Sequence, residues 1–135
     1  MIRALALALS ATAVYADTYC VDLTALVNGT ATEIALPSGT PGTCTTSLDV
    51  SGARALNCRW PFDYRAKAAT DTFTGLLDAT TQCLSTDGLT DQGVNHPDSY
   101  DLRTFETNTA QVSISIKDMG ARQQTFIFLR VAPIP

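Results

Sequence analysis

Leu56-Asn57-Cys58-Arg59-Trp60-Pro61-Phe62-Asp63-Tyr64 is the stretch that decides the fold. Leu56, Cys58, Trp60, Phe62 and Tyr64 fall on one side of it, while Asn57, Arg59, Pro61, Asp63 and then Arg65 fall on the other. A period of two marks a strand with one face in a core. Pro61 has no N–H to give a ladder, so the strand is expected at a sheet edge or with a bulge there. An aromatic ligand platform is the competing reading of Trp60, Phe62 and Tyr64. At strand spacing and facing an apolar helix, they read as core instead.

The helix follows at once. After Arg65 the apolar spacing changes to three and four, through Ala69, Phe73, Leu76, Leu77, Thr80, Cys83 and Leu84. That stripe predicts a helix from Lys67 to Leu84. Gly75 costs it about 1 kcal/mol relative to alanine, so packing on a sheet must supply most of its stability.

Toward the N-terminus, Tyr19 to Leu23 and Thr30 to Leu36 read as two strands, joined at Asn28-Gly29 by a tight hairpin turn. The rival is a short helix from Asp22 to Val27, stopped by the same Asn-Gly pair; the hairpin is the preferred reading. Pro37 to Thr46 is a loop, with Cys44 holding it down. Ser51-Gly52 turns Leu48-Asp49-Val50 back onto the diagnostic strand. Toward the C-terminus, Tyr100 to Phe105, Thr109 to Lys117 and Thr125 to Val131 form a meander, turned at Thr107-Asn108 and at Asp118 to Gly120. Phe126-Ile127-Phe128-Leu129 is apolar on both faces and belongs at the centre of the sheet. The expected fold class is α+β: one antiparallel sheet of about six or seven strands, including the C-terminal three-strand meander, packed on one long helix and stapled by two disulfides.

Compartment and domain count come from the chain ends and the cysteines. Met1-Ile2-Arg3 supplies a charge, Ala4 to Ala13 a short apolar run, and Val14-Tyr15-Ala16 a small-residue cleavage site, the three parts of a secretory signal peptide. Residues 1–16 are read as that peptide and 17–135 as a single domain, periplasmic or secreted and not membrane-embedded. The formal net charge is −4, with no basic cluster along the sequence, which argues against nucleic acid as a partner.

Four cysteines in an exported chain read as two disulfides with three connectivities open. Cys58 lies about 27 Å of strand before the helix, and Cys83 about 24 Å along it. A helix folded back over its strand brings the two level. Geometry therefore favours Cys58 with Cys83 and Cys20 with Cys44. With one histidine and no C-x-x-C pair, no metal or cofactor is expected.

Asn95-His96-Pro97-Asp98-Ser99-Tyr100-Asp101, in the long polar loop from Ser85 to Asp98 and the strand after it, is the only cluster with chemistry to weigh. His96 is the sole histidine, and Asp98 or Asp101 would orient its ring in an acid–base or nucleophilic mechanism. Turn formation explains the same residue types without a substrate. Ser51-Gly52-Ala53-Arg54 resembles the Ser-Gly-Ala-Arg/Lys loop of periplasmic lysozyme inhibitors over four residues, but Ala55 replaces that family's tyrosine and the long helix is foreign to its small β-barrel. A helix gripped by an antiparallel sheet is similar to cystatins, yet Gln111-Val112-Ser113 departs from their Q-x-V-x-G loop. Neither family is claimed. The leading expectation is an exported interaction module, an inhibitor or accessory factor with a protein partner, showing an apolar patch near Pro37 to Thr46 and Ser85 to Ser99. The alternatives are a small-ligand carrier and, last, a hydrolase using His96.

Overall fold

The computed structural model describes residues 12–90 and 100–134. Helix α1 (Thr12–Val27) opens the chain, and a hairpin of β1 (Thr43–Leu48) and β2 (Arg54–Asp63) follows. Helix α2 (Lys67–Leu84) comes next, then a two-residue β3 (Leu89–Thr90) and three long strands, β4 (Tyr100–Glu106), β5 (Ala110–Met119) and β6 (Gln124–Pro133). All pairings are antiparallel and the sheet order is β1-β2-β6-β5-β4-β3. The α+β class, the C-terminal meander and the two disulfides stand. The layout of one helix and six or seven strands is corrected to two helices, five full strands and a two-residue pairing at the edge.

The correction lies at the N-terminus. Tyr19, Leu23 and Leu26 are buried at helical spacing, not strand spacing. The Asn-Gly pair stops α1 rather than turning a hairpin. The Thr30 amide donates to the Ala25 carbonyl at 2.8 Å and the Gly29 amide to that of Leu26 at 3.1 Å, with Gly29 at φ 72°. This is a Schellman stop, which uses the same left-handed freedom of glycine that a tight hairpin needs. Thr30 to Leu36 is loop, holding Ile34 and Leu36 in the core without a ladder. Cleavage after Ala16 would fall within the first turns of α1 and leave Asp17 to Val27 as its remainder.

Both helices lie on one face of the sheet. Leu56, Cys58 and Trp60 of β2, Val112 and Ile114 of β5, and Ile127, Leu129 and Val131 of β6 meet Tyr19, Leu23 and Leu26 of α1 and Phe73 and Leu76 of α2 in one core. The register places these strand residues in facing rows, such as Trp60 with Ile127 and Leu56 and Val112 with Val131. Trp60 is thus core, as expected, and Phe62 is partly buried against it, while Tyr64, expected in the core with them, is not part of it. Tyr64 lies beyond the strand, its ring under the Arg65 guanidinium at 4.9 Å. β6 is central, between β2 and β5. The pairing of β1 with β2 ends at Arg59, so β2 is an edge from Trp60 onward, where a proline is tolerated. α2 has the predicted bounds and ends at Ser85 in the left-handed region, φ 53°.

The disulfides join Cys20 to Cys83 and Cys44 to Cys58. The geometric preference for Cys58 with Cys83 is overturned. It assumed a bare sheet beneath the end of α2, but α1 lies beside α2 and offers Cys20 first, with the Cα atoms 5.4 Å apart. Cys58 faces Cys44 directly across the β1–β2 ladder, at 4.0 Å between Cα atoms. The first disulfide ties helix to helix across 63 residues, the second strand to strand across 14.

Candidate functional site

His96 and Asp98 lie outside the described residues. Asp101 sits on β4, where Arg103 holds both its carboxylate oxygens, Nε to Oδ1 at 3.0 Å and Nη2 to Oδ2 at 3.0 Å. Residues two apart share a strand face, which explains the pair. The fork leaves this carboxylate committed to a cation rather than free to orient a ring. No group of His, Cys, Asp and Glu among the described residues is arranged to hold a metal.

Asp101 shares a hollow of about 260 Å³ with a second polar cluster at the entry to α2. There the buried Thr125 hydroxyl donates to Asp118 Oδ1 at 2.7 Å and accepts the Arg65 amide at 2.8 Å, while Arg65 Nε donates to Asp118 Oδ2 at 3.2 Å. Arg65 has φ 56°, and these bonds hold that left-handed turn between strand and helix. Each buried polar side-chain atom of the cluster is partnered, and its bonds tie β5 and β6 to the turn that enters α2.

Two surfaces remain. The first is the sheet face opposite the helices, which no described element covers. Antiparallel register sets Arg59 beside Phe128 and Ser115, Pro61 beside Phe126 and Lys117, and Asn57 beside Arg130 and Ser113. Phe126 and Phe128 stack at 5.7 Å between centroids, and the Arg59 guanidinium lies 6.0 Å from the Phe126 ring centre. Arg59 and Arg130 are exposed and Lys117 is half-buried. None of the three has a carboxylate within ion-pair distance among the described residues. Phe126 is buried and Phe128 half-buried beneath these cations, and Asp63 and Glu106 are exposed at the strand ends of the same face, so a local basic and aromatic cluster sits on a chain of net charge −4. Sequence reading missed it because Arg59, Lys117 and Arg130 are far apart along the chain. The alternation in β2 put Arg59 on a solvent face and that in β5 put Lys117 on one, but neither says that the two faces adjoin.

The second surface is a cleft of about 580 Å³ at the C-terminal end of α1, lined among others by Leu26, Val27, Arg54, Leu56, Val131 and Pro133. Asn28, Gly29, Ala31 and Thr32 of the loop after α1 also line it. Beneath α2, Phe73 and Leu76 are part of the core.

Residues 91–99, most of the second loop expected to carry an apolar patch, lie outside the described residues. Among the described residues of the two loops Leu89 is exposed, while Leu48 at the end of β1 and Val50 within the β1–β2 turn are exposed outside them. No protein-family model matches the chain, and no curated protein or solved structure is significantly similar to it. No described helix is long and apolar enough to cross a membrane. Two disulfides fit an oxidising compartment.

Proposed function

We propose that this is an exported interaction module, an inhibitor or accessory factor, which docks an acidic surface of a partner protein on the open face of its sheet. The observation that carries this reading is the cluster of Arg59, Arg130 and Lys117 around the stacked Phe126 and Phe128. Cations in no ion pair among the described residues, of which Arg130 alone feels a nearby carboxylate, Asp49, supply charge steering, and the half-buried Phe128 beside them supplies an anchor of the kind on which interface energy concentrates. Arginine is the better half of the set, because its planar fork meets carboxylates bidentately. Three cations on a net-acidic chain favour an acidic protein over nucleic acid, whose binding strength rises with the number of phosphates neutralised.

The test compares the wild-type chain with Arg59→Glu/Arg130→Glu, each immobilised and exposed to the same envelope extract. Both arginines are exposed, so the variant is expected to keep its unfolding temperature. The reading requires an acidic protein that the wild type retains at low salt, that high salt releases and that the variant fails to capture. The same proteins on both columns would defeat it.

A further inference from the structure

The cleft at the end of α1 has a composition that the sheet face lacks. Its floor is aliphatic, from Leu26, Leu56 and Val131, all buried or nearly so. Arg54 stands at its edge, exposed and without a carboxylate partner among the described residues. Beside it, directly across the β1–β2 ladder, Leu48 is 69% exposed. On the far side Ile134 is 41% exposed, its amide tied to the carbonyl of Thr109, another lining residue. An apolar hollow with an apolar rim and, among the described residues that line it, a single cation in no ion pair is what an amphiphile with a single negative charge would match.

Electrostatics at the helix end agrees. A helix C-terminus ordinarily presents unpaired carbonyls and repels an anion. Here the carbonyls of Thr24, Ala25 and Leu26 already accept the amides of Asn28, Thr30 and Gly29. Arg54 is therefore the dominant charge lining the cleft. The volume lies in the range of small-molecule sites, and a few placed polar groups on an apolar wall are their usual make-up.

We infer that this cleft binds a small amphiphile, an apolar chain or ring carrying one carboxylate, with the carboxylate on Arg54 and the apolar part over Leu26, Leu56 and Val131. The site is independent of the partner surface, since Arg54 lies on the helix-bearing side of the sheet and Arg59 on the other.

Calorimetric titration with decanoate, and with decanol as its uncharged counterpart, tests the inference. The wild type should bind decanoate more tightly than decanol. Arg54→Ala should weaken decanoate by about tenfold, the loss of one charge-assisted hydrogen bond, and leave decanol unchanged. Thr46→Trp, an exposed lining position on β1, should block both ligands while the unfolding temperature holds. Arg59→Glu/Arg130→Glu should keep full decanoate affinity, which separates failure of this site from failure of the sheet-face reading. Absence of binding up to about 1 mM decanoate, or equal affinity in wild type and Arg54→Ala, overturns the assignment.

Discussion

The Tyr19 hydroxyl lies 2.7 Å from Thr80 Oγ1, joining α1 to α2 across 61 residues of sequence in a fully buried position. Thr80 has a single proton, and it goes to the Leu76 carbonyl at 2.7 Å. Tyr19 is therefore the donor and Thr80 the acceptor. The pair fixes the helix interface a turn from where Cys20 and Cys83 close it.

Removing one partner of that bond should be felt. Tyr19→Phe is expected to destabilise the protein by about 0.5 to 1.5 kcal/mol, the usual net range for a neutral hydrogen bond. A urea titration should show a lower midpoint and an unchanged slope. Combining it with Thr80→Val should cost less than the sum of the two single changes.

Alkaline pH should reach the same residue. Burial pushes the Tyr19 phenol well above its ordinary range, and the Thr80 hydrogen bond offsets only part of that. A group whose folded pKa is raised contributes fully below its unfolded value and loses that contribution as pH rises past it. Stability should thus fall above about pH 10. Tyr19→Phe should flatten that fall in midpoints measured from pH 8 upward; an equal fall in the variant would refute the assignment.

Non-reduced peptide mapping should find Cys20 joined to Cys83 and Cys44 to Cys58. In the chain-entropy account, replacing Cys44 and Cys58 by serine should cost about 3 kcal/mol, and replacing Cys20 and Cys83 about 4, because the second pair closes the longer loop. A fragment joining Cys58 to Cys83 would show the helices to be wrongly placed.

Asp118 and Arg65 form an ion pair whose members should differ in worth. Asp118 is buried and carries the Thr125 hydroxyl as well, so Asp118→Ala should cost about 2 kcal/mol by stranding that donor. The Arg65 side chain is 63% exposed, and Arg65→Ala should cost under about 1 kcal/mol. Thermal unfolding of the two variants decides it.

Two glycines should respond to alanine with opposite signs. A Cβ on Gly42 would stand 2.7 Å from a ring carbon of Trp60, a buried indole anchored by its Nε1 on the Thr40 carbonyl at 3.1 Å. Gly42→Ala should destabilise by about 1 to 3 kcal/mol and shift the tryptophan emission. Nothing lies within 4 Å of a Cβ on Gly75, exposed on α2. Gly75→Ala should stabilise by about 1 kcal/mol.

Where one periodicity ran uninterrupted, the residues alone sufficed. Leu56 to Phe62 and Lys67 to Leu84 each bury one face of one element, and a face is a local property of spacing. Asn28-Gly29 shows the limit. A left-handed glycine serves a hairpin turn and a helix stop equally well, and only the contacts of Tyr19, Leu23 and Leu26 decide which. The site was less legible than the fold. Arg59, Lys117 and Arg130 become neighbours through strand order, and Arg54 meets the floor of the cleft only after α1 is in place.

By itself, the sequence determined which segments have two faces, where the long helix begins and ends, that the C-terminal strands form a meander, and that four cysteines make two staples. Only the tertiary structure decided how many helices share the sheet, and with that which cysteines meet. The reason is physical. Periodicity states that a face must be buried but not against what, so the partner of each apolar stripe, of each sulfur and of each surface cation is settled by packing.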